Sequence, residues 1–166
     1  MSKWVFRAVA LAVLIALGFW GWRVLFPSPE QAIRKRLAGL AQAASFSSNA
    51  GPLARLSSAQ NLTTFCTDDV EVMVEVPGHG SQTFHKKGEL LEAAAGMMSM
   101  VSGLKVQFLD VTVRIAADKT SAIANLTAKG NVAGESEIQV QELRFAFRKN
   151  GRDWLINRVE TVKTLL

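Results

Sequence analysis

The chain has 166 residues, 49% of them hydrophobic, with a formal net charge of +5. That length suits one domain of ordinary size plus a short appendage. The positive charge is scattered and Arg34, Lys35 and Arg36 form its only tight cluster; without an RNA-binding aromatic signature or zinc spacing, no nucleic-acid partner is expected. The single cysteine, Cys66, excludes an intramolecular disulfide and a multi-cysteine metal site, and neither His79 nor His85 lies in a metalloprotease motif, so no metal or cofactor is expected.

The first element is apolar. From Trp4 to Phe26 about 23 residues carry only Arg7 and Arg23 as charges, roughly the length that crosses a hydrocarbon core of about 30 Å. Both arginines sit near the ends, where they can snorkel, and Trp4, Trp20 and Trp22 mark the edges as interfacial aromatics do. The bulky "GFWGWRVLFP" that follows offers no small-residue cleavage site, and no lipoprotein cysteine follows it. Residues 1–27 therefore read as a tail and an uncleaved single-pass transmembrane helix, and residues 28–166 as the folded domain. The short positive tail favours a domain on the non-cytoplasmic side, although Arg23 and the 34–36 cluster count against it.

The domain opens on "SPEQ": Ser28 can cap a helix, Pro29 suits its first position, and Gln31 completes a capping box. Ile33, Leu37, Leu40, Ala41 and Ala44 then recur at helical spacing. Gly51 and Pro52 punctuate, and a second helix runs from Leu53 to about Phe65 with Leu56, Ala59 and Leu62 on one side. "VEVMVEV" alternates as a half-buried strand, and "KKGELLEAAAGMMSMV" returns to helix with Leu90, Leu91, Ala94, Met97, Met98 and Val101 on one face. After Gly103 four strand patterns follow, about Lys105–Ala116, Ser121–Lys129, Ile138–Lys149 and Asp153–Lys163, the last two joined by the hairpin signal "NG". Two of them switch the parity of their apolar residues, at Phe108–Leu109 and near Gln141–Glu142, as an inserted bulge residue would make them do. Bulges bend sheets, and a bent sheet encloses a cavity.

This element order, the acidic pair in "DDVEV" and the ending "LRFAFRKNGRDWLINRVET" resemble the nuclear transport factor 2-like superfamily, whose SnoaL-like members include cyclases, ketosteroid isomerase and scytalone dehydratase. The resemblance implies an α+β fold in which a curved mixed or antiparallel sheet packs against about three helices to form a cone around a pocket. Candidate acid–base residues are Asp69, His85, Asp110 and Glu142, each with a structural alternative: Asp68 and Asp69 can cap or turn, His85 sits in a polar link, Asp110 alternates with an apolar face, and Glu142 can pair with Arg144 outside. Absence of tyrosine and the pair of histidines leave none of the superfamily's catalytic sets to carry over. Phe65, Met97, Val101, Phe108, Phe145 and Trp154 are the candidate pocket lining. The reading is a membrane-anchored, non-catalytic module for an apolar small molecule or partner protein, with homodimerisation through the open sheet face a further expectation; the alternative is a pocket isomerase, cyclase or hydrolase with a carboxylate base.

Overall fold

A computed structural model describes residues 13, 15, 28–76 and 80–162. Three helices and six strands follow one another in the domain: α1 (Pro29–Ala44), α2 (Pro52–Thr63), β1 (Cys66–Val76), β2 (Gly80–His85), α3 (Lys86–Met100), β3 (Leu104–Ile115), β4 (Ser121–Val132), β5 (Ile138–Asn150) and β6 (Asp153–Thr161). The strands form one sheet in the order β2-β1-β6-β5-β4-β3. Every pairing is antiparallel except β1 with β6, so the sheet is mixed. No helix among the described residues is long and apolar enough to cross a membrane. The expected span Trp4–Phe26 lies, but for Val13 and Ile15, outside the described residues.

The local reasons for α1 are those its sequence offers. The Ser28 hydroxyl accepts a hydrogen bond from the Gln31 N–H at 3.3 Å, Pro29 occupies the first turn, and Ile33, Leu37 and Leu40 are buried. The basic cluster divides: Arg34 pairs with Glu30 on the exposed face, whereas Arg36 pairs with Asp153 at 2.8 Å and lies over the Phe65 ring. Helix α1 therefore has a direction relative to the sheet. Its middle is tied to the start of β6, and beyond its end Ser45 and Phe46 bond Val106 and Leu104 at the start of β3.

The sheet's inner face holds the core. Ala122, Ala124 and Leu126 of β4, Phe145 and Phe147 of β5, and Trp154, Ile156 and Val159 of β6 are buried together with Ile33, Leu37 and Leu40. The bulge expected in β3 is present: the register slips between Leu109 and Thr112, and Asp110 takes a left-handed conformation at φ 53°. The one expected near Gln141–Glu142 is not. The β4–β5 register runs unbroken from Ser121↔Arg148 to Asn131↔Ile138, so Ile138 and Val140 point away from the helices, 44% and 63% exposed. A second irregularity lies instead between β5 and β6, where Ala146 faces Arg158 but Phe147 faces Ile156, leaving Asn157 as the extra residue. Strand β2 was not expected at all; it is an exposed edge strand in which Phe84 alone is half-buried.

Side-chain parity along β5 is directly testable. Phe145 is 3% exposed, whereas Arg148 points outward and pairs with Asp69 at 3.2 Å. Phe145→Ala is expected to cost about 3–5 kcal/mol in chemical denaturation, and Arg148→Ala less than about 1 kcal/mol. Equal costs would mean that the strand faces the other way.

Candidate functional site

Between the inner sheet face and the helices lies a cavity of about 240 Å³. Its walls are the end of α1 with Phe46, Leu62 of α2, Val72 and Val74 of β1, Gln82 and Phe84 of β2, the α3 face carrying Leu90, Ala94, Met97 and Met98, and Leu104. Register explains the β wall: Val72 opposes Phe84 and Val74 opposes Gln82, so all four project to one side of the β1–β2 ribbon. Of the fourteen described residues that line it, Gln82 alone has a polar side chain. A deeper compartment of about 140 Å³ shares Leu62, Val72, Leu90 and Ala94 with it and is floored by Leu40, Cys66, Phe145, Ile156 and Val159.

The opening has a defined place in the fold. Met97 is 57% exposed at the rim beside the exposed Gln82. Both lie toward the C-terminal end of α1, since Ala44 and Phe46 line the same space. A 16-residue helix spans roughly 24 Å. The rim thus lies near the opposite end of α1 from Ser28, where the N-terminal segment joins the domain.

One side chain holds the helical wall together. From α2, Arg55 donates through Nε to the Ala50 carbonyl at 3.0 Å, through one terminal nitrogen to Met98 and Val101 at 3.0 and 3.1 Å, and through the other to Ser102 at 3.3 Å. Its guanidinium also lies 5.4 Å from the centre of the Phe46 ring. Three of these acceptors, Met98, Val101 and Ser102, are carbonyls at and just beyond the end of α3, which carries no basic residue of its own in its last turn. Sequence reasoning missed this role, because the acceptors at the end of α3 are main-chain atoms 43–47 residues away.

Met97 and Val101 stand on the wall of the outer compartment and Phe145 on that of the inner one. The other three aromatics expected there do not line either space. Phe65 turns toward α1, where its ring meets Arg36 and would touch a Cβ at Gly39. Phe108 packs on Phe145 with ring centres 5.8 Å apart, and Trp154 is core near the start of β6. Phe108 thus backs Phe145 from behind the cavity wall.

The acid–base candidates lie elsewhere. Asp69 is exposed and pairs with the Arg148 guanidinium at 3.2 Å. His85 caps the start of α3 with its own N–H donated to Glu89 at 2.7 Å, and its side chain is exposed. Asp110 and Glu142 border an open groove on the outer face of the sheet together with Asn125, Thr127 and Arg144. Arg144 there is held by Asn125 at 3.2 Å and Glu160 at 3.1 Å. None of the four candidates lines the inner cavity, and no metal-binding cluster of three or more His, Cys, Asp or Glu occurs among the described residues.

No protein-family model matches the chain, and no curated protein matches it. Solved structures do. An NTF2-like protein of unknown function from Pseudomonas putida KT2440 superposes with a TM-score of 0.66 at 15% identity, over 84% of this chain and 89% of that one. The fold is the nuclear transport factor 2-like cone. An NTF2-like protein with a cystatin-like fold from Novosphingobium aromaticivorans gives 0.63 at 19% identity, covering 86% of each chain. A candidate scytalone dehydratase from the same organism gives 0.58 at 14% identity, covering 82% of this chain and 84% of that one. At such identities the likeness concerns the fold alone.

Two measurements follow from this geometry. Arg55→Ala is expected to lower stability by about 2–3 kcal/mol and to raise amide exchange around the end of α3, because several acceptors lose one charged donor; Arg55→Lys should recover little, since an ammonium cannot fork to all of them. Burial pushes the Cys66 thiol up to about 11 from 9.0, against a smaller opposing effect of Lys87. Its neutral form favours the folded state, so that contribution is complete below pH 9 and lost as pH rises toward 11, up to about 2–3 kcal/mol. Thermal unfolding of Cys66→Ala across that window should lack this component.

Proposed function

We propose that this chain is a membrane-anchored module that binds a small apolar molecule in the cone without transforming it. The observation that carries the reading is the cavity itself: a two-compartment space with apolar walls, lined among the described residues by no carboxylate or histidine that could act as acid or base. The length, arginine placement and tryptophan flanks of Trp4–Phe26 support the anchor, and the short positive tail supports a domain on the non-cytoplasmic side. The cavity rim lies toward the end of α1 opposite Ser28, the end at which the proposed anchor joins the domain. The exposed Leu53, Leu56 and Met100 on α2 and α3 support a second use of this end, docking of a partner protein over the rim. A homodimer through the outer sheet face belongs to the same proposal, with light scattering of the purified chain as its check.

The experiment is a ranking of variants by equilibrium binding of a neutral, apolar fluorescent probe to the full chain. A general acid–base residue contributes typically about 10²–10⁴-fold to a rate, whereas apolar binding follows buried area at roughly 25 cal/mol per Å². Asp69→Asn, His85→Ala, Asp110→Asn and Glu142→Gln should leave binding close to the parent, and Ala94→Phe should abolish it. A pocket enzyme of the SnoaL or ketosteroid isomerase type requires the opposite ranking, with turnover lost on one carboxylate. The anchor predicts that full-length protein stays with membranes through an alkaline carbonate wash; a mature N-terminus near Pro27 would contradict it.

A further inference from the structure

The cavity's electrostatics narrow what it can hold, given the reading that it is a binding site. We infer that its occupant is uncharged, with an apolar chain or ring in both compartments and at most one hydrogen-bonding group, placed at Gln82. The outer and inner compartments, about 240 and 140 Å³, are together comparable with the smallest of the roughly 300–1,000 Å³ pockets that take drug-sized ligands. A medium-length alkyl chain or a single small ring system suits that size, with Leu62, Val72, Leu90 and Ala94 lining both compartments.

Charge is excluded because none of the described residues on the wall is a counter-ion. Two cations of the surrounding elements are already engaged. Arg55 stands behind Phe46 and spends its N–H groups on four main-chain carbonyls. Lys87, which acts on the Cys66 thiol at the inner end, pairs with Asp68 at 3.7 Å and lines neither compartment. An anionic ligand would therefore lose its water without gaining a partner, and an ionised group buried that way is strongly disfavoured. A hydroxyl or carbonyl meets a different situation at the rim, because the Gln82 amide can both donate and accept.

Cys66 makes the inference testable, since it is the chain's one cysteine and floors the inner compartment. The full chain in lipid nanodiscs is labelled with neutral methyl methanethiosulfonate and with its sulfonate and trimethylammonium analogues, each rate normalised to the unfolded chain. The neutral reagent should react at least about tenfold faster than either charged one, the direction that burial in apolar walls dictates. Octanol should slow labelling in a saturable way and ionised octanoate should not, and Ala94→Phe should remove the octanol effect. Gln82→Leu should weaken octanol by about two- to tenfold, the span of one neutral hydrogen bond; no change would overturn the role given to Gln82. Protection by octanoate equal to that by octanol would overturn the charge rule while leaving the binding site in place. Protection by neither compound, or labelling indifferent to reagent charge, would overturn the binding site as well.

Discussion

The cavity depends on a guanidinium that never enters it. Arg55 gathers the carbonyls that end α3, the carbonyl of Ala50 ahead of α2, and the face of Phe46 after α1, so all three helices are referred to one planar cation. Carbonyls at a helix end must find donors or water. Supplying the donors from one rigid fork fixes where the end of α3 sits, and with it Met98 and Val101 on the cavity wall. The arrangement matters because the helices contribute little packing of their own here: α3 buries Met98 alone and α2 buries only Ala59 and Thr63. A wall so lightly packed on itself can surround open space only if something else holds its position.

The sheet contributes the opposite surface through its curvature. The slip at Leu109–Thr112 bends β3 and the one at Asn157 bends β6, while the β4–β5 pairing between them stays regular. The bent sheet is filled by α1 and the Phe145–Phe147 stack near the middle, and left open where β1 and β2 curl toward α3. Polar groups are sorted accordingly. Arg144, Arg158, Glu71 and Glu160 form a chain of ion pairs across the outer face, where water screens them and each is worth little. Among the described residues the inner face keeps no such pair, and Gln82 alone brings a polar side chain to the cavity lining.

Much of this was legible in the sequence, and the losses have physical causes. Ser28, Pro29 and the Ile33–Leu37–Leu40 stripe announce α1 because its inward face is uniformly apolar. The β3 bulge shows because Phe108 and Leu109 break strict alternation. The supposed switch in β5 misled because Ile138 and Val140 are β-branched residues on an exposed face, while Gln141 turns inward to bond Glu75 and Thr161 where β1 and β6 end. Conversely, the three-residue step from Ile156 to Val159 did carry the β6 bulge, unread. Strand β2 is polar or glycine at five of six positions, so no periodicity betrays an edge strand whose main-chain bonds do the work. Met97, Val101 and Phe145 could be placed near a pocket from their faces; that Phe65, Phe108 and Trp154 line neither compartment depends on helix placement, which periodicity does not contain.

On the proposed function, the space between α3 and the β1–β2 ribbon holds a small uncharged molecule. Native mass spectrometry of the full chain, purified from its own host, tests that most directly. The predicted result is a discrete adduct of low mass on the parent protein that survives Asp110→Asn and is missing from a folded Ala94→Phe variant. An adduct retained by Ala94→Phe, or one lost on removing the Asp110 carboxylate, would contradict it.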